Sequence, residues 1–175
     1  MKAGIPIENI CIIKCDVSKI SSIKKAADKA RERFGYVSIL INNAGVISGK
    51  RLEELTEPII FRTFNVNTLA HLHTVREFMP DMKANKKGHI VTIASVAGLM
   101  GCPGMMDYCA SKFGTIGFEE SLRYELNKTG DSKFIKTTCI APYLIQTGMF
   151  EGGKQPWPFT PLMPNHVADR TVSAV

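Results

Sequence analysis

The sequence has no hydrophobic run near the roughly 20 residues that a membrane-spanning helix requires, and no signal peptide opens it. These absences predict a soluble chain, with membrane attachment of a longer form left open. Cysteines are few and odd in number, five in 175 residues, and no pair has zinc-site spacing. His71 and His73 would point about 200° apart on a helix, so they cannot bind one metal ion. We therefore expect no metal site.

Acidic residues are outnumbered: 22 Lys and Arg against 16 Asp and Glu give a formal net charge of +6. The basic residues of segment 24–33 alternate with acidic ones, which is typical of a solvated helix face. No basic and aromatic ladder or nucleic-acid motif accompanies them, so we expect no nucleic-acid partner. Attraction for anionic lipid or for a cofactor that carries phosphate fits this charge better, because positive charge steers anions without a motif.

Apolar residues make up 45% of the chain, enough for one domain with a buried core. Their pattern predicts strands alternating with helices, which is typical of a parallel α/β sheet. The predicted strands are 9–14, 37–41, 90–94 and 135–141. The predicted helices are 21–34, 57–84 with Pro80 closing or kinking it, 108–127, and a last one capped by Asn165. Cys11 and Cys15 share a face of the first predicted strand, so we expect both to be buried, as in a reducing compartment.

Tyr108 and Lys112 carry the clearest chemical signal of the chain. Four residues apart on a helix, they are offset by about 40° and one turn, so both reach one pocket. A free tyrosine ionises near pH ~10, and a nearby ammonium lowers the pKa of the phenol towards the range of an efficient general base. Ser95, after the preceding strand, is placed to orient a substrate oxygen. The sequence therefore predicts an acid/base site built on these three side chains.

Asn43, Ala44 and Gly45 follow the second predicted strand, where a small-residue turn lets the backbone approach a cofactor. An ordinary strand-to-loop turn is the alternative for this motif taken alone. Each candidate site residue lies just after the carboxyl end of a strand or in the helix beyond it. Ligands of open α/β sheets bind at that edge.

Together these motifs resemble the short-chain dehydrogenase/reductase family. The matching residues occur in the family's order, from Asp16 and the 42–45 turn through Asn67, Ser95, Tyr108 and Lys112 to segment 142–147. Segments 65–71 and 145–152 are most similar to the branch of retinol dehydrogenases and 17β-hydroxysteroid dehydrogenases that act on lipids. The resemblance implies a Rossmann-like, doubly wound parallel sheet and NAD or NADP as cofactor.

The resemblance also implies a role for each matching residue. Asp16 would contact the adenine ring, and the turn at Asn43, Ala44 and Gly45 would lie along the adenosine ribose. Asn67 would hold a helix distortion and a water that relays protons to Lys112, although an asparagine in mid-helix is also common at the surface. Lys112 would bind the nicotinamide ribose, while Ile145 and Thr147 would fix the carboxamide. Tyr143 departs from the glycine that usually follows the family's proline.

One family segment is absent from the sequence: the Thr-Gly-x-x-x-Gly-x-Gly loop that binds the pyrophosphate at a helix N-terminus. We expect residues 1–175 to form a single partial domain, lacking the family's first two strand-helix units and its last strand. Strand 37–41 would then be an exposed edge, and strand 9–14 would lose its neighbour. The chain is therefore expected to be a fragment or a shortened product.

The sequence is consistent with two functions. The first is an NAD(P)-dependent oxidoreductase that interconverts an alcohol and a carbonyl on a retinoid, steroid or fatty alcohol. The second is an inactive chain that acts as an interaction module with a full-length subunit. The family implies a homodimer through helices 57–84 and 108–127, and a place on the cytoplasmic side of the endoplasmic reticulum or on lipid droplets. Residues that either line an apolar substrate site or merely pack their loops are Met100, Met105, Met106, Met149, Phe150, Trp157 and Phe159.

Overall fold

The computed structural model describes residues 5–150 and 160–175, without the side chain of Phe150. Its helices and strands alternate along the chain, as the apolar pattern predicts. The helices are α1 (Ile20–Phe34), α2 (Glu57–Phe64), α3 (Ala70–Ala84), α4 (Met106–Thr129) and α5 (Pro164–Ser173). The strands are β1 (Ile39–Asn42), β2 (Gly88–Ile93) and β3 (Ile135–Ile140).

The three strands form one parallel sheet in the order β1-β2-β3. The core lies between this sheet and α3 and α4, where Val75, Ile90, Leu126 and Ile135 form one buried cluster with Met82. The end of α5 contacts the other face, where the Thr138 hydroxyl donates to the Ala174 carbonyl at 3.5 Å. This arrangement confirms the expected Rossmann-like α/β fold, here as an open sheet of three strands.

The predicted first strand, 9–14, is wrong. Residues Ile7–Asn9 form a single 3-10 turn, and residues 10–16 have no regular secondary structure. Ile12 is 91% exposed, and Cys11 and Cys15 are exposed as well, so the expected burial of these cysteines is also wrong. A strand forms only where a neighbour accepts and donates its ladder hydrogen bonds, and no described strand lies beside this segment.

Strand β1 is an edge of the sheet, as expected. Among the described strands it pairs with β2 alone, and Ile39 and Ile41 on one of its faces are 47% and 46% exposed. Its other face carries Leu40, which packs on the core, and Asn42, which is buried. Successive residues of β1 therefore point in turn to the exposed face and to the core.

Two helix predictions need correction, although helix 57–84 begins and ends where predicted. Helix 57–84 is interrupted by a π-helical turn at Asn65–Leu69, whereas Pro80 lies inside α3, which continues to Ala84. The last helix begins at Pro164 with Met163 as its N-cap, so Asn165 is not the cap. Proline is favoured at the first helical position because its φ angle suits the helix and its missing N–H would have no partner there.

Candidate active site

The predicted site residues gather at the carboxyl edge of the sheet. Strand β1 ends at Asn42 and leads into the 43–45 turn, while β2 ends at Ile93, two residues before Ser95. Helix α4, which packs on β3, carries Tyr108 and Lys112 close to its start. Parallel strands end at the same edge, so side chains that are far apart in sequence meet there.

Ser95 is the N-cap of a short 3-10 turn at Val96–Gly98, and its Oγ accepts a hydrogen bond from the Ala97 amide at 3.1 Å. This bond fixes the side chain at the mouth of the site. The hydroxyl of Ser95 also hydrogen-bonds to Tyr108. Serine and tyrosine hydroxyls are therefore paired before any substrate oxygen joins them.

Tyr108 is buried, with 5% of its surface exposed. Burial raises the pKa of its phenol, because a phenolate is poorly solvated there, and the hydrogen bond with Ser95 opposes this shift only in part. The sequence predicted a lowered pKa through Lys112, and the structure contradicts this for the protein alone. The Lys112 ammonium lies 5.8 Å from the centre of the Tyr108 ring and is directed to a backbone carbonyl, so burial dominates.

Lys112 is 4% exposed, and its Nζ donates to the Ile93 carbonyl oxygen at 2.9 Å. Burial lowers the pKa of this lysine from 10.5 to about 8, because the desolvated ammonium is disfavoured. A lysine with this pKa exchanges its proton close to neutral pH. The geometry thus places a readily titrated amine behind the tyrosine.

Asn67 lies in the π-helical turn and is fully buried, which excludes the alternative of a surface asparagine. Its Nδ2 donates to the Val46 carbonyl at 2.9 Å and to Ser111 Oγ at 3.0 Å. Its Oδ1 accepts from the Val46 amide at 2.8 Å, and its main-chain oxygen accepts from Thr115 Oγ1 at 2.6 Å. The expected helix distortion is present, and the side chain ties the loop after β1 to α4.

Two glycines border this centre, and one of them is required by close packing. A Cβ at Gly45 would lie 3.6 Å from Asn67 Oδ1 and 3.9 Å from Lys112 Nζ, so the 43–45 turn borders the buried amine. A Cβ at Gly98 would lie 2.5 Å from the Lys112 carbonyl oxygen, closer than real contacts allow. The turn that begins at Ser95 can therefore pack on α4 only with glycine at position 98.

The remaining predicted cofactor residues lie in more open positions. Asp16 is exposed, and its carboxylate accepts from the Ser18 amide and hydroxyl, which lowers the pKa of the acid. Ile145 forms a parallel bridge with Leu162, and its carbonyl accepts from the exposed Thr147 amide at 2.8 Å. These contacts are local, so the roles assigned to these residues stay predictions.

Two polar residues of α4 belong to the site although sequence reasoning missed them. Asp107 is 4% exposed, and its carboxylate accepts from Ser48 Oγ and from Thr63 Oγ1, both at 2.8 Å. Ser111 is fully buried, and its hydroxyl donates to the Tyr108 carbonyl at 2.7 Å. Their only sequence signal is their position beside Tyr108 and Lys112, which does not distinguish buried from exposed faces.

The apolar residues proposed for a substrate site border the centre unevenly. Met100, Met106 and Met149 are 55%, 54% and 40% exposed, whereas Met105 packs beside buried Tyr108. Trp157 and Phe159 lie outside the described residues, as does the side chain of Phe150. In residues 5–150 and 160–175, no group of three His, Cys, Asp or Glu side chains is arranged to hold a metal ion. Within the same residues, no helix has the length and apolarity needed to cross a bilayer.

Comparison with known proteins identifies the class. The short chain dehydrogenase family matches residues 4–156, and the chain belongs to that family. It is 47% identical over 166 residues to retinol dehydrogenase 10-B of Danio rerio, which covers 92% of this chain and 49% of that protein. It is 46% identical to retinol dehydrogenase 10 of Homo sapiens, over 92% of this chain and 48% of the relative. The chain thus spans about half the length of the curated relatives it matches.

Solved structures agree on the fold. A short chain dehydrogenase from Burkholderia cenocepacia, crystallised in complex with NADP, superposes with a TM-score of 0.78 at 24% identity. The match covers 93% of this chain and 63% of that one. At 24% identity, this likeness shows the fold alone.

Proposed function

We propose that the protein carrying this chain is an NAD(P)-dependent oxidoreductase that interconverts an alcohol and a carbonyl. The observation that carries this proposal is that Ser95, Tyr108 and Lys112 meet at the carboxyl edge of the sheet. The chain that carries them belongs to a family of dehydrogenases. Tyr108 transfers the proton to or from the substrate oxygen, and Ser95 holds that oxygen by a hydrogen bond. The cofactor, when bound, supplies or accepts the hydride.

The residues near Gly45 fit a nucleotide cofactor. The 43–45 turn lies beside the buried Lys112 ammonium, because a Cβ at position 45 would be 3.9 Å from Lys112 Nζ. Lys112 would bind the nicotinamide ribose, and Asp16, Asn43, Ala44, Ile145 and Thr147 would hold the rest of the cofactor. The choice between NAD and NADP is left open by these residues.

Without a cofactor, the raised pKa of Tyr108 suits the reduction of a carbonyl. With its pKa raised, Tyr108 is a phenol at neutral pH, the form that donates a proton to a carbonyl oxygen during reduction. The reverse direction needs a phenolate, which a closer Lys112 ammonium would stabilise. We infer that movement of Lys112 from the Ile93 carbonyl towards the tyrosine favours oxidation.

For the substrate we propose an apolar alcohol or aldehyde of the retinoid type, with steroids and fatty alcohols next. The support is similarity to retinol dehydrogenases together with the exposed thioethers of Met100 and Met106, between Ser95 and Tyr108 in the sequence, and of Met149 beside Gly45. Flexible thioethers adapt to long apolar ligands.

Fluorescence titration with NADH and NADPH, followed by turnover of retinol and retinal, tests this function. Tyr108→Phe should reduce turnover by about 10²-fold or more while leaving cofactor binding intact. Tyr124→Phe is the matched control, because Tyr124 lies on the same helix and is 61% exposed. Equal turnover by both variants would refute the role of Tyr108.

We also propose that two copies pair through α2, α3 and α4, whose outward faces include large apolar side chains among charged ones. The exposed residues on these helices include Phe61, Leu72, Phe113 and Tyr124. Light scattering during size-exclusion chromatography should give a dimer, and Phe113→Lys should give a monomer. A dimer that neither binds cofactor nor turns over any alcohol would favour the interaction module instead, whereas a monomeric wild type would refute this pairing.

A further inference from the structure

Three buried side chains between α3 and the sheet carry polar atoms that no other described residue hydrogen-bonds. The atoms are both ring nitrogens of His71, Nδ2 of Asn42 and Oγ1 of Thr92. These residues are 2%, 8% and 0% exposed. Buried polar groups nearly always have a partner in the protein or in an ordered water, because a desolvated group without one is unfavourable.

The three side chains lie in one layer. Asn42 and Thr92 are register partners on the adjacent parallel strands β1 and β2, so their side chains project from the same face of the sheet. The Thr74 hydroxyl donates to Asn42 Oδ1 at 2.7 Å and lies 3.1 Å from the His71 carbonyl oxygen. Thr74 and His71 are three residues apart and share a face of α3. His71 therefore lies on the face of α3 that packs on β1 and β2.

The charge near this layer comes from Lys112. Burial, and then the positive charge of Lys112, lower the pKa of His71 to about 4, so its imidazole is neutral at physiological pH. The Cys139 thiol of β3 raises the pKa of Lys112 in part. The pKa of that thiol is itself raised, first by burial and then by the charge of Glu119. A neutral imidazole has one N–H donor and one acceptor nitrogen.

We propose that His71, Asn42 and Thr92 form a binding site for a buried water beside Lys112, through which His71 acts as a positioning residue for the lysine. Three polar partners are the usual number for an internal water. The catalytic consequence rests on the proposed function, but the water site itself does not.

This site differs from the water that the family resemblance assigned to Asn67. The Asn67 main-chain oxygen here accepts the Thr115 hydroxyl at 2.6 Å, and its side chain is occupied by Val46 and Ser111. The unmet polar groups lie instead at His71 and at the strand pair. A water held there adds a dipole near the Lys112 ammonium and stabilises its charged form.

The first test is NMR of the purified chain. We expect His71 to stay neutral in a single tautomer down to about pH 5, with cross-peaks from its ring protons to a long-lived water. His71→Leu should remove those cross-peaks and lower the pKa of Lys112 by about one unit below its wild-type value, because the ammonium loses the water dipole that stabilises its charge. His71→Gln, which keeps a donor and an acceptor, should restore most of that pKa.

His73→Leu is the matched control, since the same substitution two residues away on α3 faces a different direction and should leave the Lys112 pKa unchanged. An imidazole without water cross-peaks, or an unchanged Lys112 pKa in His71→Leu with its fold intact, would overturn the proposal.

Enzyme kinetics separates this proposal from the proposed function. In an active enzyme, His71→Leu should shift the pH profile of kcat in the acid direction, whereas His71→Gln and His73→Leu should not. A lost water site with normal Tyr108-dependent turnover would leave the dehydrogenase assignment standing. A confirmed water site in a protein without turnover would refute only the catalytic assignment.

Discussion

Gly98 offers the sharpest test of how the site is assembled. A Cβ at this position would lie 2.5 Å from the Lys112 carbonyl oxygen, 2.8 Å from its carbonyl carbon and 2.7 Å from Ile116 Cδ1. The two Lys112 atoms are backbone, so α4 or the Ser95 turn must move. To reach an ordinary contact of 3.4 Å, the separation must grow by about 0.9 Å, the difference between those two distances.

Gly98→Ala should therefore lower the free energy of unfolding by roughly 1–3 kcal/mol, the usual cost of overpacking. Displacement of Ser95 from Tyr108 by that distance should also reduce turnover by about 10²-fold. Urea unfolding measures the first effect and steady-state kinetics the second. Gly101→Ala is the matched control, because a Cβ there meets nothing within 4 Å.

Two results would refute this reasoning. If Gly98→Ala unfolds at the same urea concentration as Gly101→Ala, then the turn and α4 are not packed as closely as the structure shows. If Gly98→Ala is destabilised but turns substrate over normally, the alignment of Ser95 with Tyr108 does not depend on this contact.

Three further outcomes follow from buried or exposed groups. Lys112→Met should be more stable than the wild type at neutral pH, because burying the ammonium is unfavourable. This difference in unfolding free energy should shrink as pH rises from about 8 to 10.5, which unfolding measured across that range checks. Asp107→Ala should cost roughly 1–3 kcal/mol of unfolding free energy, since Ser48 and Thr63 lose their acceptor, and a thermal melt that matches wild type would contradict it. Ile41→Lys on the exposed edge should reduce aggregation measured by light scattering, and unchanged scattering would exclude β1 as the contact.

Residues whose behaviour follows from local pattern were predicted well. Helix α1 carries Ile23 and Ala27 on one buried face and ends before Gly35, whose φ of 79° suits glycine. Strand β2 is largely buried and pairs in parallel with β3, which is mostly half-buried. These features depend on side-chain spacing and backbone preference, which the sequence contains.

Features that depend on a partner from elsewhere in the chain were predicted less well. Segment 9–14 has strand composition but no described neighbour, so its residues are exposed. The pKa of Tyr108 was expected to fall because Lys112 is nearby in sequence, yet burial outweighs that charge and the lysine bonds Ile93 instead. Burial is a property of the packed structure, so motif spacing could not give the sign of this shift.

The sequence by itself determined the family, the parallel α/β order and the Ser95, Tyr108 and Lys112 constellation, because these depend on motif identity and on hydrophobic periodicity. Only the tertiary structure decided which polar groups are buried and what they bind. It placed Asp107 between two hydroxyls and His71 beside Lys112, and it fastened Asn67 to the loop after β1. Such contacts join residues 20 to 60 positions apart, and their energies depend on the water that packing removes.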